Sequence, residues 1–244
     1  MSPEAAGAFS RSAALLGGEA MRRLAAARVI VFGIGGVGGW CAEALVRSGI
    51  GAVDVVDGDA VEPSNINRQS VATSATIGRA KVEVMAARLE EINPGVAVMA
   101  HRARFCAETE AAFAETIAAC DCVVDAIDSL EDKRRLARLC GRLGVFMVSS
   151  MGAALRLDPT LVRTAPFSKV AGDPLARAMR RLFRQDETGT IPDFPCAYSE
   201  ERPASCAERG SMMPVTATFG MTLASLVLDN FSTARRAPRA ARLC

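Results

Sequence analysis

The sequence has few of the residues that build metal centres. It contains a single histidine, His101, and none of its eight cysteines lies in a C-x-x-C pair. Because paired C-x-x-C ligands are the usual mark of structural zinc, we expect no zinc site of this kind. Cys120 and Cys122 lie in an apolar run, which favours burial over metal binding. With no recognisable signal peptide, the sequence predicts reduced thiols and a cytoplasmic protein.

Excess charge and long apolar runs are also scarce. The net charge of the 244 residues is only +2, so total charge does not indicate nucleic-acid binding. The uncharged stretch 211–228 is barely long enough to cross a membrane and contains Pro214 and Gly220. A buried helix is therefore favoured over a membrane span. Half of the residues are hydrophobic and only 5% are aromatic, which suits a helix-rich α/β protein with a full core.

A glycine-rich turn is the most informative segment. The sequence Gly33-Ile-Gly35-Gly36-Val-Gly38 follows a β-branched apolar run and precedes a helical pattern. Glycines let the backbone approach a phosphate closely, and the next helix offers free N–H groups and a partial positive charge. Asp57 closes the next apolar strand, where an acid that binds a ribose belongs. The alternative is a turn that only packs a helix on a strand.

Strands and helices alternate over residues 28–150. Regular alternation implies a Rossmann-like, doubly wound and mostly parallel sheet with helices on both faces. The predicted strands cover about 28–33, 53–57, 96–101, 121–127 and 145–150. The predicted helices cover about 15–26, 36–48, 77–92, 108–118 and 130–142.

The pattern changes after residue 150. Residues 151–164 predict irregular or antiparallel strand, so the fold class is α/β with an antiparallel extension in the C-terminal half. Asp173 and Pro174 predict the N-cap and first residue of a helix. A loop over 185–212 and an apolar helix over 215–230 follow. We expect one domain, 1–244, made of an arm and helix (1–27), a nucleotide-binding half (28–150), a substrate half (151–234) and a basic tail (235–244).

Cationic side chains surround the predicted nucleotide turn. Arg68 lies in the loop after the second strand, Lys81 lies at the start of a helix, and Arg11 lies in the N-terminal arm. Cations aimed at one anion suit a triphosphate that loses pyrophosphate better than a redox cofactor with two phosphates. For each of them, and most of all for Arg11, the alternative is a solvated surface charge.

Two aspartates follow the fourth strand. Asp128 lies where ligands of such sheets bind, and a carboxylate there can hold Mg²⁺ against phosphates. Its alternative role is the N-cap of helix 130–142, which Ser129 could equally supply. Asp125, earlier in the strand, is expected to be structural.

The glycine turn, the acids and the cationic segments occur in an order known from one superfamily. The chain resembles the ubiquitin-activating-enzyme-like superfamily, which includes adenylating enzymes of the MoeB and ThiF type. The resemblance implies ATP binding and adenylation of a carboxylate. By it, Asp57 would bind the ribose, Asn67, Arg68 and Lys81 the phosphates, and Asp128 Mg²⁺, with Asp59 and Gln69 in the same site. The motifs are Gly33-Ile-Gly-Gly-Val-Gly38, Asp57-x-Asp59, Asn65-Ile-Asn-Arg-Gln69, Gly78-Arg-Ala-Lys-Val-Glu83, Ile92-Asn-Pro94 and Asp125-Ala-Ile-Asp128.

A second set of motifs is similar to one branch, the tRNA threonylcarbamoyladenosine dehydratase family. That resemblance implies adenylation of the threonyl carboxylate of a modified adenosine in tRNA, ring closure by the carbamoyl group, and loss of AMP. Attack from within one molecule needs no cysteine nucleophile. Members of the superfamily commonly form homodimers, for which 211–228 could supply a surface. The motifs are Phe9-Ser-Arg11, Ser149-Ser-Met-Gly-Ala153, Asp158-Pro-Thr160, Ser168-Lys169, Asp173-Pro174, Tyr198-Ser-Glu-Glu201 and Gly210-Ser-Met-Met213.

Other functions stay open at this stage. An activating enzyme for a ubiquitin-like sulfur-carrier protein would use sulfur-transfer partners, and Cys196 or Cys206 could then form a thioester. A nucleotide-binding scaffold without turnover is a third possibility. Basic residues of the helix from Asp173 form either a phosphate-facing strip or an ordinary solvated face. They are Arg177, Arg180, Arg181 and Arg184, with Lys169 just before the helix.

Overall fold

A seven-stranded sheet forms the centre of the computed structural model, which describes residues 7–186, 189–205 and 210–232. The strands are β1 (Arg28–Phe32), β2 (Ala52–Val56), β3 (Ala97–His101), β4 (Cys122–Asp125), β5 (Phe146–Ser150), β6 (Val162–Pro166) and β7 (Pro195–Ser199). Their spatial order is β3-β2-β1-β4-β5-β7-β6. All neighbouring pairs are parallel except β6 and β7. The mostly parallel sheet with an antiparallel C-terminal extension is therefore confirmed.

Helices cover both faces of this sheet. Side chains alternate along each strand, so Val29 and Val31 enter one core while Ile30 and Phe32 enter the other. The helices are α1 (Ser10–Leu16), α2 (Gly18–Ala26), α3 (Gly38–Arg47), α4 (Lys81–Ile92), α5 (Glu110–Ala119), α6 (Leu130–Leu143), α7 (Pro174–Gln185) and α8 (Met213–Ser232). Residues of α2, α3, α4 and α8 build the first core, and residues of α5, α6 and α7 build the second.

Strand β7 corrects the prediction of a continuous loop over 185–212. It lies between β5 and β6 and pairs with both, through Cys196 with Ser149 and through Ser199 with Val162. The five residues of β7, Pro195–Ser199, begin with proline and have almost no sequence pattern that predicts a strand. Pairing with two distant strands stabilises this segment, and local propensity cannot report such contacts.

Two predicted helix boundaries were also wrong. The helix expected over 77–92 begins only at Lys81, because Gly78 has a φ of +84° and Ala80 forms a β-bridge with Ala60. The helix expected over 15–26 is broken at Gly17, whose φ is +82°. In both places a left-handed glycine interrupts an otherwise helical pattern. The N-cap predicted at Asp173 is confirmed, since its Oδ1 accepts from the Ala176 amide at 2.9 Å.

Helix α8 is a buried element of the first core. Its Val215, Phe219 and Leu223 are fully buried. A Cβ on Gly220 would lie 2.5 Å from the Val37 carbonyl oxygen and 2.9 Å from the Trp40 Cβ. The backbone of α8 therefore touches the start of α3. No helix in the described ranges is long and apolar enough to cross a membrane.

The Gly220 contact yields a stability prediction. Gly220→Ala should lower the free energy of unfolding by about 1–3 kcal/mol, because the added methyl group must push two backbones apart. Gly141→Ala is the matched control, since nothing lies within 4 Å of a Cβ at this helical position. Alanine there should be neutral or stabilising by up to about 1 kcal/mol. Urea unfolding measures both, and equal midpoints would contradict the close contact.

Candidate active site

A cleft of about 500 Å³ lies at the carboxyl ends of the parallel strands. Many of the predicted site residues line it, so the fold brings together segments that are far apart in the sequence. Those residues are Gly33, Gly35, Gly36, Asp57, Asp59, Arg68, Gln69, Lys81 and Asp128. The C-terminal half contributes a second wall with Gly152, Ala153, Ala154, Leu175, Ser211 and Thr216.

The glycines of the turn have different roles. Gly33 has a φ of +88°, and a Cβ there would lie 2.6 Å from the Ala126 carbonyl oxygen. A Cβ on Gly38 would lie 1.8 Å from the Gly33 carbonyl oxygen, so both positions close the turn against backbone. At Gly35 the nearest atom to a Cβ is the Gln69 Nε2, 3.9 Å away. Gly35 therefore leaves open space in the cleft in front of α3, where a ligand can approach the backbone.

Asp57 holds this turn in place. Its Oδ2 accepts from the Ile34 amide at 2.7 Å, and its Oδ1 accepts from the Asp59 amide at 2.8 Å. The side chain is 10% exposed and borders the cleft. A carboxylate offers about four acceptor positions, so two remain for ligand hydroxyl groups.

Lys81 and Arg104 share one carboxylate. The Lys81 Nζ lies 3.1 Å from Asp59 Oδ2, and the Arg104 Nη2 lies 2.5 Å from Asp59 Oδ1. Burial acts to raise the pKa of Asp59, but hydrogen bonds from Arg104 and Lys81 outweigh it and lower that pKa. Asp59 is therefore ionised at neutral pH and holds two cations at the cleft. The Lys81 side chain is only 8% exposed, which fixes its ammonium group near Asp57, 3.9 Å away.

Sequence reasoning missed Arg104, which lines the cleft beside Phe105. A signal was available, because Arg104 follows β3 by three positions, just as Asp57 and Asp128 follow their own strands. The same rule about carboxyl ends of parallel strands identifies all three residues.

Arg68 occupies the other side of the glycine turn. Its Nη1 donates to the Ser64 carbonyl at 2.8 Å and to the Asn67 Oδ1 at 2.9 Å. Its own carbonyl accepts from the Trp40 Nε1 at 2.9 Å, which ties the loop to α3. Trp40 thus holds the backbone of a residue that borders the cleft.

The neighbours of Arg68 point in different directions. The Asn67 amide donates to the Ser211 carbonyl at 2.8 Å and links the loop to the start of α8. Asn67 is not among the residues that line the cleft. Gln69 lines it, and its buried Oε1 has no hydrogen-bond partner within the described residues. An unpaired buried acceptor costs about 1–3 kcal/mol, so a ligand that donates to Gln69 would gain affinity.

The aspartate that ends β4, Asp125, and the one that follows it, Asp128, have separate environments. Ser129, not Asp128, caps α6, because its Oγ accepts from the Asp132 amide at 3.4 Å. Asp128 is exposed and borders the cleft. Asp125 is fully buried, lies 2.9 Å from the Lys133 Nζ and accepts from the Ser149 Oγ at 2.6 Å. The expectation that Asp125 is structural fits this buried ion pair.

Other candidate residues lie elsewhere. Arg11 is exposed on α1 and is not among the cleft residues. Cys196 is fully buried in β7, and burial raises the pKa of its thiol well above the ordinary value. Cys206 lies outside the described residues. The described ranges contain no cluster of three His, Cys, Asp or Glu side chains that could hold a metal ion.

The fold and the cleft define a doubly wound α/β protein of the nucleotide-binding class, and comparison with known proteins narrows the class. Residues 9–242 match the ThiF family. The chain is 38% identical to the tRNA threonylcarbamoyladenosine dehydratase of Bacillus subtilis over 195 residues, 80% of this chain and 75% of that protein. It is 38% identical to the Escherichia coli dehydratase over 247 residues, 90% of this chain and 91% of that protein.

A solved structure agrees with these relatives. The crystal structure of the Escherichia coli tRNA N6-threonylcarbamoyladenosine dehydratase in complex with ATP matches with a TM-score of 0.89 and 34% identity. The match covers 100% of this chain and 99% of that one. The chain therefore belongs to the ThiF family and, within it, to the tRNA threonylcarbamoyladenosine dehydratases.

The burial of Cys196 gives a chemical prediction. Brief treatment of the native protein with iodoacetamide should leave Cys196 unmodified, because its sulfur is buried and protonated. Cys106 is the internal control, since it is partly exposed. Peptide mass spectrometry measures both, and denaturant should make Cys196 reactive. Native labelling of Cys196 at the rate of Cys106 would contradict its placement in the sheet.

Proposed function

We propose that this protein uses ATP to dehydrate threonylcarbamoyladenosine next to the anticodon of tRNA. The threonyl carboxylate attacks the α-phosphorus of ATP, and pyrophosphate leaves. The carbamoyl group then attacks the acyl carbon, the ring closes with loss of a proton, and AMP leaves with one carboxylate oxygen. The observation that carries this proposal is the convergence of Arg68, Lys81 and the glycine turn at one cleft. The similarity to dehydratases along the whole chain supports it.

The cleft supplies positive charge where a triphosphate needs it. Lys81 and Arg104 are held by Asp59 on one side of the turn, and Arg68 lies on the other. Preorganised cations that stabilise the charge developing on a leaving pyrophosphate are an effective source of catalysis. In this assignment Asp57 accepts the ribose hydroxyls, Gly35 and Gly36 face the phosphates, and Gln69 accepts from the nucleotide. Gly33 and Gly38 shape the turn.

Asp128 is the residue we assign to Mg²⁺. It has the oxygen chemistry that Mg²⁺ prefers, it is exposed at the cleft, and helix capping is supplied by Ser129 instead. Mg²⁺ usually binds through one or two carboxylates together with substrate phosphates, so a single aspartate fits. The bound ion would neutralise phosphate charge. Asn67 and Arg11 lie outside the cleft in this chain, and we assign them no contact within it.

The second wall of the cleft suits the acyl substrate. Gly152, Ala153 and Ala154 are small and uncharged, and they face the cationic nucleotide side. They leave room for a threonyl group to lie against the α-phosphate. Since the attacking carbamoyl group belongs to the same substrate molecule, its effective concentration is high and no enzyme nucleophile is required. One domain over 1–244, with its nucleotide and substrate halves, would thus contain the complete reaction.

Partners follow from the same proposal. We infer a cytoplasmic homodimer, because tRNA and ATP meet in the cytoplasm and members of the superfamily commonly pair. Helix α8 buries one side in the core and exposes Met213 and Met221, which offers some apolar surface to a second copy. A sulfur-carrier protein is the less favoured partner, since Cys196 is buried in β7.

The direct test is a mass assay. The protein, ATP, Mg²⁺ and tRNA that carries threonylcarbamoyladenosine should give a nucleoside lighter by one water. Arg68→Ala should slow this turnover on the order of 10² or more, by analogy with the loss of an oxyanion-hole donor. Arg79→Ala, an exposed arginine of the same region, is the control and should retain activity.

Two results would contradict this proposal. Absence of the lighter nucleoside with the wild-type protein would exclude the dehydratase activity. Pyrophosphate exchange that depends on a protein ending in Gly-Gly would instead favour the sulfur-carrier reaction. Full turnover by Arg68→Ala would remove the role given to Arg68 alone.

Substitutions at Asp128 and Ser129 test metal binding and helix capping separately. Asp128→Asn should raise the Mg²⁺ concentration needed for half-maximal turnover, because a carboxylate ligand is lost, while the unfolding midpoint stays near that of the wild type. Ser129→Ala should lower stability by about 1 kcal/mol through loss of the cap and leave the Mg²⁺ dependence unchanged. Turnover against Mg²⁺ concentration and urea unfolding measure the pair. An unchanged Mg²⁺ requirement for Asp128→Asn would refute the assignment.

A further inference from the structure

Helix α7 begins at the cleft and exposes three arginines on one side. Its second residue, Leu175, lines the cleft, and its Ala176, Met179 and Phe183 are buried in the second core. On the opposite side lie Arg177, Arg181 and Arg184, all exposed, which we name the basic strip. The strip therefore begins within two residues of the site where the reaction would occur.

Arg180, the fourth arginine of the predicted group, does not belong to the basic strip. The Arg180 Nη1 donates to the Phe167 carbonyl at 3.0 Å, and its guanidinium carbon lies 5.5 Å from the centre of the Phe167 ring. Arg180 is therefore part of the packing between α7 and the segment before it. The three residues of the strip form no ion pair within the described part of the chain.

A cluster of unpaired arginines distinguishes this surface from the other helices, where Arg11 of α1 is the single exposed arginine without an ion pair among the described residues. Arg22, Arg47 and Arg142 are more than half exposed, yet each pairs with a glutamate. The two described acids that flank α7 are already paired: Asp173 with Arg156, and Asp186 with Arg134 and Arg138. The basic strip thus keeps its full charge available for an outside anion.

The spacing fits a nucleic-acid backbone. Positions 177, 181 and 184 follow the i, i+4, i+7 pattern that places side chains on one helix face. With a rise of 1.5 Å per residue the strip extends about 10 Å. Three cations over this length can contact about two to three phosphates of one RNA strand. The net charge of +2 gives little attraction over the whole molecule, so a local strip is needed.

We propose that the basic strip binds the phosphate backbone of the tRNA beside the modified nucleotide, an inference that rests on the proposed function. RNA is favoured over a protein or a membrane because the strip lacks apolar anchors. Among the described residues, the large exposed hydrophobic side chains all lie outside α7. Protein interfaces depend on such buried anchors, and membrane-surface helices expose an apolar face.

A matched pair of triple variants tests the strip. The strip variant carries Arg177→Gln, Arg181→Gln and Arg184→Gln, and the control carries Arg22→Gln, Arg47→Gln and Arg142→Gln, with the same change in net charge. Binding of labelled tRNA is measured by anisotropy across a series of KCl concentrations. For the strip variant, the slope of log affinity against log salt should fall by about 2 to 3, and affinity should weaken roughly tenfold or more. The control and Arg180→Gln should keep the wild-type slope.

Kinetics provide a second measurement. The strip variant should show a higher KM for tRNA, a kcat near the wild-type value at saturating tRNA, and unchanged ATP affinity. Equal salt slopes for the strip variant and the wild type would overturn the proposal. Binding to anionic lipid vesicles is measured in parallel. A strip variant that loses only vesicle binding and keeps its tRNA binding would also overturn it.

The outcomes separate this inference from the proposed function. Wild-type protein that makes the cyclic product, together with a strip variant that binds tRNA normally, would overturn the strip and leave the function intact. Wild-type protein that binds tRNA through the strip without making product would support the strip and overturn the function. Wild-type protein that neither binds tRNA nor makes product would overturn both.

Discussion

The two backbone hydrogen bonds to Asp57 hold the site together. Through them one carboxylate at the end of β2 fixes the glycine turn after β1 and the loop that leads to Asp59. Asp59 then positions Lys81 and Arg104, so these two cations at the cleft depend on the same point. A buried acid that accepts backbone N–H groups is a strong and directional anchor. Placement of this anchor at the sheet edge lets the fold orient charge at the mouth of the cleft.

The opposite side of the cleft depends on elements from the C-terminal half. Thr216, in the first turn of α8, and Ser211, just before that helix, border the cleft, and the Ser211 carbonyl accepts a hydrogen bond from Asn67. A Cβ on Gly36 would lie 3.2 Å from the Thr216 Oγ1. The nucleotide turn is thus enclosed between an anchor early in the chain and a helix near its end. Helix α8, which contains most of the apolar stretch 211–228, thus packs in the core and also supports the nucleotide turn.

The parts of this structure that follow local rules could be predicted from the sequence. The glycine turn, the carboxyl-end acids Asp57 and Asp128, and the cap at Asp173 all depend on short patterns with a fixed physical cause. Strand β7 could not be found, because its pairing partners on β5 and β6 lie 29 to 47 residues earlier in the chain. Arg104 was missed although the rule that located Asp128 also applies to it. The hydrogen bond from the Asn67 side chain to the Ser211 carbonyl joins segments far apart in the sequence, and the local motif does not report it.

The contact between Gly220 and Val37 also has a consequence for biosynthesis. Two segments separated by most of the sequence must meet before the nucleotide turn has its full support. During translation the glycine turn leaves the ribosome long before α8 exists, so an incomplete chain holds an unsupported pocket. The nucleotide turn therefore gains its full support only when α8 docks on it.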